Sequence, residues 1–373
     1  MAKLSILGAT ALALLAGCGT VPSPTGQALP TNWDADLGPA HEPEVAMSLT
    51  LPSQSPSPTA PPPAAPKAVP ALVPSVAADA NWVSLNDWAA QNGLRALRTI
   101  PLLPQVVYAI TTLNGVFAVR VGSQTAFWDQ QDVRLGFAPQ QIDGQIYLHP
   151  LDVKKTLEPL SRGLAVPTAP GRVVVLDPGH GGGNTGTRSV ADNRWEKEFT
   201  LDWALRLAPL LARQGWQVFL TRTNDVEVSL PDRTAFAERH HADLFLSLHF
   251  NASGGGSDPA GLETYCLTPT GMTSSVTRGY NDDVRQVFPN NAFDAENLQY
   301  AVRLQRALLE VNGTTDRGVR RARYQAVLRG HGRPAVLIEG GYLSNPREAR
   351  RIADPAYRQK LAEAVTKGLE DGR

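Results

Sequence analysis

Three apolar runs constrain this chain most, because each ends on a side chain that can bind a metal or carry a proton. Val173-Val174-Val175-Leu176 leads into Asp177-Pro178-Gly179-His180, Leu244–Leu248 into His249, and Ala335–Ile338 into Glu339. Apolar runs without polar alternation are strands covered on both faces, the setting of a parallel sheet between helices. Between the runs the pattern turns helical. Helices are predicted over Phe199–Gln214, from the cap Ser229-x-x-Asp232, over Asn297–Val311 and from Pro355 onward, with further strands at Gln217–Thr221 and Gly261–Leu267. This order predicts an α/β domain over residues 171–373, a mostly parallel twisted sheet flanked by helices. Pro209 lies inside the first helical pattern, where its missing N–H predicts a kink or a shortened helix.

In open α/β sheets ligands bind beyond the carboxyl ends of the strands, so His180, His249 and Glu339 are expected on one edge. The glycines around His180 let the backbone approach a ligand closely. Their spacing matches neither of the common phosphate-loop patterns, and no Lys follows. Two histidines and a carboxylate around an open position are the ligands of a hydrolytic zinc site. The third ligand must come from elsewhere, and Glu196 and Glu198 both stand ahead of the first helix, within reach of the glycine turn. Either is equally suited to complement the helix dipole, and the physics of the sequence does not choose between them.

Four segments stand in order: Leu176-Asp177-Pro178-Gly179-His180-Gly181-Gly182, Glu196-Lys197, Ser247-Leu248-His249-Phe250-Asn251-Ala252, and Ile338-Glu339-Gly340-Gly341-Tyr342-Leu343-Ser344-Asn345. Together they resemble the zinc-dependent N-acetylmuramoyl-L-alanine amidases of bacterial cell walls, over about two hundred residues. The resemblance implies one catalytic zinc held by His180, Glu196 and His249, with Glu339 as the catalytic carboxylate and Glu198 as a bystander. It implies hydrolysis of the amide between the lactyl group of N-acetylmuramic acid and the L-alanine of the peptidoglycan stem peptide. Fold and metal alone would also permit a zinc peptidase cutting another amide, and a wall-binding protein without activity is a further alternative that the intact Glu339 opposes.

Other residues near these motifs have two readings. Asn251 is a candidate substrate contact or a residue that turns the chain, and His331 borders the groove or, more plainly, sits in a solvated loop. His240-His241 close a helix as structural residues, and Cys266 reads as a small buried hydrophobe. The segment Thr268–Asn297 breaks the strand–helix rhythm, as functional loops do. Some members of the resembled family carry an occluding helix there. The periodicity for one is poor in this chain, so the segment reads as a substrate-side loop.

Ahead of this domain, Lys3 and the apolar stretch Leu4–Ala16 form a signal-peptide core over residues 1–17, short of the roughly 20 residues a spanning helix needs. Leu15-Ala16-Gly17-Cys18 resembles the lipobox of bacterial lipoproteins, which implies a lipid-bearing Cys18 and an exported chain anchored in the cell envelope, facing the periplasm or the surface. Residues 18–79, rich in Pro, Ala and Ser, read as a disordered tether. Stiffened toward polyproline II at about 3.1 Å per residue, it would reach on the order of 100 Å. Residues 80–165 read as a small α+β module. Its strands are Val106–Thr111, Gly115–Val121 and Gln145–Leu148, its turns Asn114-Gly115 and Asp143-Gly144, and its helices lie in Leu85–Leu94 and Leu151–Leu160. Val121–Trp128 with Val133–Leu135 and Ala138-Pro139 resembles stalk domains akin to the N-terminal domains of copper amine oxidases, implying a positioning or wall-binding module. Its lone His149 makes no metal cluster. Lys+Arg and Asp+Glu both total 35, so no overall field recruits nucleic acid. The expected partners are peptidoglycan and, through Cys18, a membrane; no motif identifies an activator protein. With Cys18 modified, Cys266 has no disulfide partner.

Overall fold

The computed structural model describes residues 82–102, 105–163, 172–254, 259–310 and 314–370. The leader, Cys18 and the Pro-rich segment lie outside the described residues. The first part of the described chain forms β1 (Val83–Ser84), α1 (Leu85–Gln91), β2 (Arg98–Leu102), β3 (Gln105–Thr111), β4 (Val116–Val119), β5 (Thr125–Trp128), β6 (Gln131–Arg134), β7 (Gln140–Ile142) and β8 (Gln145–Leu148). It closes on α2 (Pro150–Asp152), a π-helical turn (Val153–Leu157) and α3 (Glu158–Arg162). The remainder alternates through β9 (Val173–Pro178), α4 (Glu196–Arg213), β10 (Gln217–Leu220), α5 (Leu230–Arg239), β11 (Leu244–Asn251) and β12 (Leu262–Cys266). It continues with α6 (Asp294–Leu309), β13 (Asp316–Arg321), α7 (Ala326–Arg329), β14 (Ala335–Tyr342), α8 (Pro346–Ala353) and α9 (Pro355–Gly368).

The large sheet has the order β10-β9-β11-β14-β12-β13-β6-β5-β4-β3-β2. Its first four strands are parallel, as the uninterrupted apolar runs require, whereas β12 runs antiparallel to β14. Strand periodicity then sorts the side chains. Leu244, Leu246, Leu248 and Phe250 pack into one core with Phe199 and Trp203 of α4 and Leu361 of α9. Phe245 of the same strand packs instead with Ala237 of α5 and Leu328 of α7. A period of two therefore puts His249 on the Phe245 side of β11, and the same alternation on β14, with Leu337 on that side, puts Glu339 there too.

One expectation is corrected. Pro209 does not break α4, which runs unbroken over 18 residues. The carbonyl that loses its donor belongs to Leu205, four residues earlier and 48% exposed, so water can serve it. The strands of the small α+β module join the same sheet through β13, which pairs parallel to β6 at Val319↔Val133. The sequence reading contained no β13, because Asp316-Arg317-Gly318-Val319-Arg320-Arg321 has the composition of a charged loop. Its charges are absorbed by partners distant in sequence, such as Arg317 on Glu263 at 2.6 Å. The predicted caps and turns form: Ser229 Oγ accepts the Asp232 N–H at 3.2 Å, and Asp143-Gly144 joins β7 and β8 with positive φ at both positions. Among the described residues no helix is long and apolar enough to cross a membrane.

Candidate metal centre

The turn after β9 is held from behind. His180 has φ +62, a left-handed conformation that costs a residue with a Cβ on the order of 1 kcal/mol or more. Two buried arginines stabilise it through its carbonyls. Arg233 donates to Pro178 O at 3.0 Å and His180 O at 2.9 Å, and Arg222 to Pro178 O at 3.0 Å and Gly179 O at 2.8 Å. Arg233 also pairs at 2.6 Å with Asp177, whose carboxylate accepts from Thr221 at 2.6 Å and Ser247 at 2.8 Å. Burial alone would raise the Asp177 pKa, but Arg233 and the hydroxyls outweigh it and hold the group below its ordinary range. Two glycines are required on steric grounds. A Cβ at Gly179 would lie 2.3 Å from the His249 ring, and one at Gly186, where φ is +66, would lie 2.6 Å from the His180 ring.

β11, β14 and β12 lay a row of polar residues along the sheet edge, since His249 pairs with Glu339 and Glu339 with Glu263. Helix α4 adds the remaining carboxylate. Glu196, its first residue, accepts the Phe250 N–H at 3.0 Å on one oxygen and the Thr187 N–H at 3.1 Å on the other. Glu198 takes the other role that the sequence left open, capping the helix by accepting the Trp195 N–H at 3.0 Å. Lys197 ties the glycine turn to the next loop, donating to Gly182 O at 2.8 Å and Asp225 at 2.7 Å.

His180 Nε2 stands 3.1 Å from one Glu196 oxygen and His249 Nδ1 3.0 Å from the other. The three donor atoms all lie within 4.8 Å of one another. This set fits a cation. His180 Nδ1 lies 2.7 Å from Asn184 Oδ1; burial would lower the His180 pKa, but the facing Glu196 outweighs it and raises it, so the pair favours a positive charge between them, a proton or a metal ion. Burial would push the Glu196 pKa up, yet the facing histidines draw it well below the usual carboxylate range. Burial dominates at His249 and lowers its pKa, favouring the neutral imidazole that ligates metals. The group formed by His180, Glu196 and His249 can hold a metal ion.

Glu339 is the further carboxylate beside this group, paired in register with His249. It is 6% exposed, and its Oε2 is buried without a hydrogen-bond partner among the described residues. Burial first, and repulsion from Glu196 second, push its pKa up to about 8. Glu263, next in the row, is instead fully occupied by Arg317 at 2.6 Å, Tyr265 Oη at 2.6 Å and Asn251 Nδ2 at 3.3 Å.

Both candidate substrate contacts are buried. Asn251 is buried, and its amide is spent on Glu263, on the Ala252 N–H at 2.8 Å and on Arg278 at 2.8 Å. His331 is neither solvated nor at the groove. It is fully buried against the Phe245 ring, 4.0 Å between centroids, and Phe245 precedes His249 by four residues or about 13 Å of strand. Desolvation lowers its pKa to about 4, so it is a neutral core residue. Cys266 is buried and free, with its thiol pKa raised to about 11 by burial, and His240 caps the end of α5. Sequence reasoning missed Asn184, Arg222 and Arg233. Asn184, in the glycine turn, carried a local signal, but the arginines did not, because their partners lie 43 to 56 residues away.

Comparison with known proteins places this arrangement in a family. The family model described as N-acetylmuramoyl-L-alanine amidase matches residues 174–371. The chain belongs to that family. It is 28% identical over 244 residues to N-acetylmuramoyl-L-alanine amidase AmiC of Escherichia coli, covering 59% of this chain and 58% of that protein. It is 34% identical over 213 residues to the probable cell wall amidase LytH of Staphylococcus epidermidis, covering 57% of this chain and 62% of that one. The chain thus spans about three fifths of the length of these relatives. Among solved structures, an N-acetylmuramoyl-L-alanine amidase from Clostridium difficile is 32% identical with a TM-score of 0.45, covering 54% of this chain and 96% of that one.

Proposed function

We propose that this chain is a zinc-dependent N-acetylmuramoyl-L-alanine amidase, hydrolysing the amide between the muramoyl lactyl group and the L-alanine of the stem peptide. In this reading His180, Glu196 and His249 hold one zinc ion and Glu339 is the catalytic carboxylate. The observation that carries the reading is the pairing of a donor set within 4.8 Å with a buried carboxylate on the neighbouring strand, one of whose oxygens has no hydrogen-bond partner among the described residues. When bound, zinc supplies a Lewis acid that polarises the scissile carbonyl and eases deprotonation of water. Asn184 orients the His180 ring, and the Phe250 and Thr187 amides orient Glu196, so the donors are positioned before an ion arrives. Glu339 accepts a proton from the attacking water and returns one to the departing amine. Muropeptides digested by the zinc-loaded full chain are expected to yield intact stem peptides with a free L-alanine amine in mass spectra. Cleavage within the stem peptide would replace the amidase reading with a peptidase.

The same reading places the enzyme in the cell envelope, anchored through Cys18, with residues 18–79 as tether and residues 80–165 as a positioning module for wall polymer. Its support is the lipobox-like Leu15-Ala16-Gly17-Cys18. One acyl-bearing residue plus a long tether suits action on polymer near a membrane. Cells fed labelled palmitate should yield a labelled wild-type chain and an unlabelled Cys18→Ser chain; an unlabelled wild type would overturn the anchor.

A further inference from the structure

The loop between β12 and α6 brings a cation to the mouth of the site. It reverses at Thr277–Tyr280, where Tyr280 N donates to Thr277 O at 2.8 Å and both Arg278 and Gly279 have positive φ, +45 and +79. Arginine is rarely found in this conformation, and here it turns the side chain back over the protein. The guanidinium lies over the Tyr324 ring at 5.4 Å and donates through Nη2 to Asn251 Oδ1 at 2.8 Å, two residues beyond His249. Arg278 forms no ion pair among the described residues, and the residue is exposed, so its other N–H groups are open to a ligand. Its charge is also felt by Glu339 and Glu263.

The loop is rigidly based. Arg323, fully buried, pairs with Asp282 at 2.6 Å and donates to Pro269 O at 2.8 Å and Met272 O at 2.5 Å. Arg321 joins that base to the first part of the chain through Thr156 Oγ1 at 2.9 Å and Lys155 O at 2.6 Å. A fixed guanidinium with a stacked face and open donors suits bidentate binding of a carboxylate. Glu339, on β14, stands beside His249, and Arg278 is tied to Asn251 at the end of β11, so in the amidase reading a peptide attached to the amine that Glu339 protonates would pass within reach of the guanidinium.

We infer that Arg278 is a specificity-determining residue that binds a free carboxylate on the peptide side of the scissile amide. This rests on the amidase reading. The test uses the zinc-loaded full chain and two muropeptides that differ only in whether the acidic residue following L-alanine has its α-carboxylate free or amidated. Wild type should show a lower KM for the free form. Arg278→Ala should raise that KM about 10- to 100-fold, leave kcat within about twofold, and leave the amidated substrate unaffected, while Arg278→Lys recovers part of the loss. An unchanged urea midpoint in Arg278→Ala would exclude misfolding as the cause. If wild type cleaves both substrates with equal KM, or Arg278→Ala loses kcat equally on both, the inference is overturned and the amidase reading stands. A wild type that cleaves neither overturns both.

Discussion

Glu339→Gln should lower turnover on muropeptides by about 10²- to 10⁴-fold while one zinc ion per chain remains bound, the loss expected of a positioned acid–base group. Glutamine keeps the shape but cannot carry the proton from water to the departing amine, and it lies outside the set formed by His180, Glu196 and His249. The same substitution should change how the metal-free protein responds to pH. Burial and the nearby Glu196 raise the Glu339 pKa from 4.5 to about 8. Because the folded value lies above the unfolded one, the folded state retains the proton longer. The associated stability is therefore fully present below about pH 4.5 and is lost as pH rises through about 8. The urea midpoint of chelator-treated wild type should fall across that window, and Glu339→Gln should flatten this component. Zinc, being a nearby positive charge, should shift the fall to lower pH. Elemental analysis, muropeptide kinetics and denaturation at several pH values check all three. Near-wild-type turnover of the variant would remove Glu339 from the mechanism.

The parts of this site that were legible in the sequence are those set by strand periodicity. An apolar run that ends on His249 or Glu339 marks a buried strand and a polar residue at its end, and pairing parallel strands in register makes the two residues neighbours. The choice between Glu196 and Glu198 was not legible from such local rules. The two lie on the first turn of one helix, and what separates them is which backbone amides each meets: Phe250 and Thr187 for one, Trp195 for the other. The burial of Asn251 and His331 was not legible, because composition does not report it. A histidine between glycines looks solvated until the Phe245 ring covers it. β13 was missed for the converse reason, since charges that suggest a loop are neutralised by Glu263 across the sheet. The α/β class was therefore readable, while the joining of the first part to the sheet through Val319 and Val133 depended on a pairing that no local pattern records.

Arg233→Met should both destabilise the fold and weaken zinc binding, through two separate consequences of one buried side chain. Asp177 is fully buried, and Arg233 is its cationic partner at 2.6 Å. Removing that partner leaves an uncompensated charge in the core, at a cost of about 3–5 kcal/mol. Thr221 and Ser247 still donate to Asp177, which keeps the expectation at the lower end of that range. Arg233 also donates to Pro178 O and His180 O, so its loss releases the left-handed turn that aims His180. Groups that orient a metal ligand from behind typically contribute about 10- to 100-fold in affinity, and a loss of that size is expected in competition with a fluorescent chelator. A double variant separates the two effects. Asp177→Asn combined with Arg233→Met removes the buried charge along with its partner and should recover part of the stability measured in urea. Zinc affinity should remain low in the double variant, because the carbonyls of Pro178 and His180 still lack their donor. If Arg233→Met loses less than about 1 kcal/mol and binds zinc as wild type does, the turn is held by Arg222 alone. If the double variant regains zinc affinity along with stability, the positioning of His180 follows from the charge balance at Asp177 and not from the carbonyl contacts.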